Sequence, residues 1–435
     1  MKKLVLVLVG LVFFVMILVP SVMARDIKIT IWDAPRWREQ GNEDGDQFYW
    51  IKDRIAKFEE LHPGVKVELV EVPWKELGEK LNIAIAGRDW PDIAPVDISG
   101  GTVKLKHLEQ GVVEPLNSFF TEEELADFYS GALESYNYQG HLYGIPTSMT
   151  VHALMLNLDL FQERGVEPPK DGKWTWDQFV DKMKKLTFDR DGDGEIDVYG
   201  FSTYILKGYY EAWPFFLMDG ARPLSPDNTT YTFDHPEAIS AVEKFAALKF
   251  KHKVAPMEMG GADVGGTFQA FANKEQRTVA VQPWASWAIA TLRTNEKYKT
   301  NFMVAEYPVG KSGKPVTIGG SGGFLVFKQS NPEKLKMVVE FAKFITDTEQ
   351  QYTFAVNYGT FPARKSAQEM DPFKDNPQMQ MAAKMLKDAI TVPRHTNWAQ
   401  IDERIQAQLQ LVLNGEKTAE EALKDAGKQL ERFLK

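Results

Sequence analysis

Ile27, Ile29 and Ile31 alternate with polar residues, and Val65, Val67 and Leu69 repeat the alternation after a turn at Pro63-Gly64. A period of two puts every second side chain on one face, which predicts a strand at each place. Between them Ile51, Ile55 and Phe58 fall on one helical face. Strand, helix and strand in this order predict a right-handed parallel unit in an α/β sheet. Thr121 with Glu124 forms a capping box ahead of Leu125 and Phe128, and Thr418 with Glu421 forms another ahead of Ala422, Leu423, Ala426 and Leu430. Met337, Phe341, Phe344 and Ile345 mark an amphipathic helix after Asn331-Pro332. Helices alternate with short strands throughout, and glycine-rich runs such as Gly319 to Gly323 are too short to act as tethers. Any lobes should therefore be joined by several chain crossings.

Lys2 and Lys3 precede an apolar run from Leu4 to Val19 that Pro20 closes, and Val22 and Ala24 stand at the third and first positions before a cut at Arg25. This is the pattern of a cleaved export signal over residues 1–24. The run is shorter than the roughly 20 residues a membrane span prefers. Removing 24 of the 435 residues leaves 411, a length that suits two lobes better than one core. The mature chain should work outside the cytoplasm, soluble and monomeric. With no cysteine it can have no disulfide, thiolate metal site, cysteine nucleophile or lipid-anchor cysteine. A net charge of −9 without a basic face argues against nucleic acid as a partner.

Many of the eleven tryptophans sit beside turn or polar residues: Trp32, Trp37, Trp74, Trp90, Trp284, Trp287 and Trp398. Each could be packing. Together they supply the flat apolar faces on which sugar rings stack while fixed donors and acceptors read the hydroxyls. The segment DRDGDGEID places Asp189, Asp191, Asp193, Glu195 and Asp197 at positions one, three, five, seven and nine of a calcium loop, with Gly194 at the sixth. Position twelve is Gly200 and not the bidentate Glu, so the loop is not a complete EF-hand. A structural Ca²⁺ is the expected cofactor, with no organic cofactor; the alternative is an acidic solvated turn.

In order along the chain come Trp32-Asp33, HPGVKVELV at 62 to 70, a helix ending in Gly87, PDIAPVD at 91 to 97 as a strand, and LEQGVVEPLN at 108 to 117. YGIPTSMTVHALMLNLDLF at 143 to 161, TWDQF at 175 to 179, QPWASW at 282 to 287, GGSGGFLVFKQSNPEKLKMVVEFAKFIT at 319 to 346 and GEKTAEEALKDA at 415 to 426 follow. This succession resembles the extracellular solute-binding proteins of ABC importers, in the carbohydrate-binding group that includes maltose-binding protein. The resemblance implies a two-lobed periplasmic-binding-protein fold of type II, α/β in class, each lobe a sheet flanked by helices, with a multi-strand hinge. By that analogy lobe 1 takes 25–149 and 308–357, and lobe 2 takes 150–307 and 358–435. A closed, ligand-loaded form would dock on a membrane permease.

Candidate ligand contacts follow. Trp32 and Asp33 end the first strand, where open α/β sheets place ligands, and offer a stacking face and a hydroxyl acceptor. The resemblance implies Asp97 and Ser99 in a second contacting loop, although Val96 stands where maltose-type relatives often carry an aromatic. It also implies Tyr210 and Trp213 as a second wall, Trp284 as a stacking residue and Trp398 as a late aromatic cap; for Trp287 packing is expected. Gly320 and Gly322 could bring backbone N–H groups to a ligand, and Arg394 could form a bidentate pair. The stretch Pro35 to Tyr49, with Arg36, Trp37, Arg38, Glu43, Asp44 and Asp46, departs from the family pattern and reads as a loop beside the cleft. Its arginines leave an anionic ligand such as a sugar phosphate or sugar acid open. A secreted glycoside hydrolase is a competing function, but no motif of paired carboxylates stands out. A sensor partner that hands a sugar to a membrane receptor is a third.

Overall fold

The computed structural model describes residues 26–36, 45–96, 103–261 and 263–434. The leader, Trp37, Asp97 and Ser99 lie outside the described residues. Among the described residues nine strands form one sheet. They are β1 Ile27–Asp33, β2 Val65–Glu71, β3 Ile93–Ala94, β4 Gly144–Asn157 and β5 Tyr199–Phe201. β6 Val279–Ala285, β7 Phe302–Ala305, β8 Gly319–Val326 and β9 Phe361–Pro362 complete it. The order is β2-β1-β3-β8-β4-β6-β5, with β7 and β9 also paired to β4.

β1 and β2 run parallel from Ile27↔Val65 to Asp33↔Glu71, joined through the helix Tyr49–Leu61, which buries Trp50, Ile51 and Phe58. This is the unit that the alternating isoleucines and valines predict. The strand expected over 91 to 97 is only Ile93–Ala94 among the described residues. Pro91 and Pro95 flank it, and proline cannot donate to a ladder. The run Gly319 to Gly323 opens β8 as strand, paired with β4 from Gly319↔Val151 to Gly323↔Pro146 around a bulge at Gly322/Gly323. Gly323 has a steric reason to be glycine, because a Cβ there would collide with the Ile145 carbonyl.

β4 is 14 residues long and buried except at Met149 and Thr150. An apolar run covered on both faces is how a central strand reads in sequence. Its first part pairs antiparallel with β8 up to Val151, and its second pairs antiparallel with β6 from His152 and with β7 from Leu154. One strand thus serves both halves of the molecule. In the first half Ile29, Ile31, Phe324 and Val326 build one core, while Leu325 and Phe327, of opposite parity, build another with Leu77, Leu81 and Tyr136. In the second half Val151, Ala153 and Met155 face a cluster with Trp284 and Ile289, and Leu154 and Leu156 face a cluster with Phe179, Phe215 and Phe245. Alternate residues of each strand feed opposite faces of the sheet.

Candidate functional site

In open α/β sheets ligands collect outside the carboxyl ends of parallel strands. In the first half that end is Asp33. Its carboxylate is fully buried and takes two bonds from Arg36, Nη2 to Oδ1 at 2.6 Å and Nε to Oδ2 at 3.3 Å. The guanidinium lies 5.4 Å from the Trp50 ring centroid, 5.8 Å from Trp74, 5.4 Å from Phe324 and 4.9 Å from Phe354. Burial raises the Asp33 carboxyl, and the Arg36 charge and hydrogen bond oppose it. Asp33 in this arrangement serves Arg36; Trp32 packs half-buried against the neighbouring core.

In the second half β5 and β6 are parallel, so their carboxyl ends lie together. Trp284, fully buried, donates from Nε1 to Gln282 Oε1 at 3.0 Å and stands 5.0 Å from Phe268, 5.7 Å from Trp287 and 5.6 Å from Tyr204, centroid to centroid. A second aromatic group forms at the start of the helix Trp398–Leu413. Trp398 donates to Tyr210 Oη at 3.1 Å, and its ring lies 6.0 Å from that of Trp213. The structure therefore brings Tyr210, Trp213 and Trp398 together.

Asp402, one turn along that helix and 1% exposed, accepts from Gly208 N at 2.8 Å and Gln406 Nε2 at 2.7 Å. Burial pushes its carboxyl up to about 6, against those hydrogen bonds. A folded value above the ordinary 3.8 means that the native state holds the proton more tightly. The contribution is therefore fully present below the unfolded value and is lost as pH rises through the folded one, a difference of roughly 3 kcal/mol. Urea denaturation of wild type and Asp402→Asn on the acid and neutral sides of this window should show that loss in wild type only; parallel profiles would refute it.

Glu211 has no counterpart among the residues expected from sequence. It is 4% exposed, its Oε1 lies 3.8 Å from Nε2 of His152 on β4, and its carbonyl accepts from Tyr307 Oη at 2.8 Å. The signal that could have found it is an acid inside the aromatic run Tyr209-Tyr210-Glu211-Ala212-Trp213. Arg394 binds Glu134 Oε1 at 2.8 Å and also the Asn137 carbonyl, so it ties the two halves together. Gly320 lines a cavity of about 390 Å³ with Tyr129, Met149, Ser321 and Leu386, whereas Gly322 accepts from Thr147 Oγ1 at 3.1 Å through its carbonyl.

The acidic loop stands before β5, at the end of that strand remote from Trp284. Carboxylate oxygens of Asp189, Asp191 and Asp197 lie within 4.8 Å of one another. Backbone N–H groups of Gly194 and Gly192 hold the Asp189 carboxyl below its ordinary value. Asp193 accepts from Glu195 N at 2.8 Å. Gly192 and Gly194, at φ 83° and 97°, allow the tight winding.

A family profile described as bacterial extracellular solute-binding protein matches residues 53–381. A putative binding protein of Brucella abortus is 25% identical, over 97% of this chain and 96% of its own. The sn-glycerol-3-phosphate-binding periplasmic protein of Pectobacterium atrosepticum is 23% identical, over 91% of this chain and 89% of its own. Maltose-bound MalE3 of T. maritima superposes with a TM-score of 0.79 at 22% identity, over 93% of this chain and 99% of that one.

Proposed function

The chain belongs to the bacterial extracellular solute-binding protein family, and from that premise we propose that it captures a mono- or oligosaccharide for an ABC importer. It acts as a monomer outside the cytoplasm and delivers its ligand to a membrane permease. Its two lobes, 25–149 with 308–357 and 150–307 with 358–435, close on the sugar. The observation that carries this reading is the pair of aromatic groups, one around Trp284 near the carboxyl end of β6 and one around Trp398 at the start of its helix. Indole faces suit the C–H patches of sugar rings, and Tyr210 supplies a hydroxyl beside Trp398. A ligand that touches both lobes only when they close stabilises the closed state by its differential affinity. No reaction is needed, and the chain is not an enzyme.

A thermal-shift screen over mono- and oligosaccharides, sugar acids and sugar phosphates, followed by small-angle scattering, tests this directly. At least one neutral sugar should raise the melting temperature and shrink the radius of gyration, without product appearing. Silence across the whole panel would end the carbohydrate reading.

The same reading gives the loop Asp189 to Asp197 a structural Ca²⁺. Three carboxylates that converge on one point are a hard oxygen donor set, and without a cation they repel one another. Asp189, Asp191 and Asp197 would ligate directly, Asp193 would complete the carboxylate set and Glu195 would add its carbonyl. Chelator-treated protein should melt higher when millimolar calcium is returned, by about 3 °C if calcium is at roughly a hundred times its dissociation constant. An unchanged melting curve removes the ion.

A further inference from the structure

At the carboxyl end of the first half's parallel strands, the two groups expected to meet a ligand are otherwise engaged. Asp33 holds Arg36, and Trp32 packs against the core. That end still carries one open aromatic face. Trp74 stands three residues past the end of β2 and begins the helix Trp74–Gly87. It is 45% exposed, the only exposed tryptophan among the described residues.

An exposed apolar side chain is ordinary by itself. What distinguishes Trp74 is that its ring is held. Its Nε1 donates to the Pro35 carbonyl at 2.8 Å, and the Arg36 guanidinium, itself fixed by Asp33, lies 5.8 Å from the ring centroid. The backbone is tied at the same place, since Val72 N donates to Asp33 O at 2.9 Å. The loops that follow β1 and β2 are thus joined, with an indole pinned by its polar edge and much of its apolar surface left to water. Folding gains little from a ring half in water, whereas a ring fixed in advance spares a guest the ordering of that side chain. Trp90 is the contrast: it precedes β3, at the amino end of that strand, and packs partly buried against the core.

Resting on the reading of this chain as a sugar binder, we propose that Trp74 is the first half's stacking platform, on which the C–H face of a sugar ring lies. Ligands collect at this end of an open α/β sheet, and an indole offers the flat apolar face that a sugar ring matches. Because Nε1 is committed to Pro35, Trp74 contributes apolar area, and the hydroxyls are read by other groups.

Two measurements on the full chain test this: melting of the unliganded protein, and calorimetric titration with each sugar that raises the wild-type melting temperature. Trp74→Ala should melt within about 3 °C of wild type, because much of the side chain is already in water. The same variant should bind sugar at least about tenfold more weakly. Trp74→Phe keeps a smaller ring without the donor, and its affinity should fall between the two. A much larger melting loss in Trp74→Ala would show a packing residue. Wild-type affinity in Trp74→Ala, or a phenylalanine variant no better than alanine, would show that no ring is stacked there. Each of these three results overturns the assignment while the carbohydrate reading stands. If no sugar binds wild type, the carbohydrate reading falls and the platform falls with it.

Discussion

Replacing Arg36 by alanine should cost about 3–5 kcal/mol of folding stability, because it strands the Asp33 carboxylate in the interior. The two side chains are 6% and 1% exposed, so water cannot substitute for the missing guanidinium. The substitution also withdraws a cation from the faces of Trp50, Trp74, Phe324 and Phe354. Urea denaturation would measure the loss, and the double variant Asp33→Asn/Arg36→Ala should regain much of it, since no charge is then left unpaired. A single variant within about 1 kcal/mol of wild type would mean that water reaches Asp33 after all.

Trp398→Ala should cost a similar amount, about 3–5 kcal/mol, by opening a cavity where one of the largest fully buried side chains now sits. The indole touches Trp213 and donates to Tyr210, so the change loosens the wall that these residues share. Trp398→Phe keeps most of the volume and loses the donor, and it should cost about 1–2 kcal/mol. If the indole also stacks on a sugar, both variants should weaken sugar binding, the alanine more. Equal stability losses for Ala and Phe would show that packing is not what the residue contributes.

Most of the framework was legible because it is local. Ile27, Ile29 and Ile31 state a period of two in one short segment, and Thr121 or Thr418 three residues before a glutamate states a helix start. What escaped the sequence depends on distant partners. Nothing near Asp33 announces that Arg36 folds back onto it, because the rings that hold the guanidinium come from positions as far apart as Trp50 and Phe354. Gly319 to Gly323 read as a candidate ligand-approach segment, since only pairing with β4 makes it a strand. Tyr210, Trp213 and Trp398 were singled out through the order of motifs, while Glu211 went unnoticed because a lone acid is ordinary until its burial is known.

Because a single continuous strand, β4, serves both halves, the fixed linkages around its midpoint set how the molecule can move. His152 N donates to Ile318 O at 2.9 Å, and Ser286 N donates to Val151 O at 2.9 Å, on either side of the changeover. Motion that kept both rungs would have to be torsion, spread over the few backbone dihedrals near Thr150, and could not be sliding or peeling. The midpoint then behaves as an axle whose stiffness sets both amplitude and tempo. Amides at His152 and Ser286, the donors of these two rungs, would stay slow to exchange deuterium while the faces on either side swing apart.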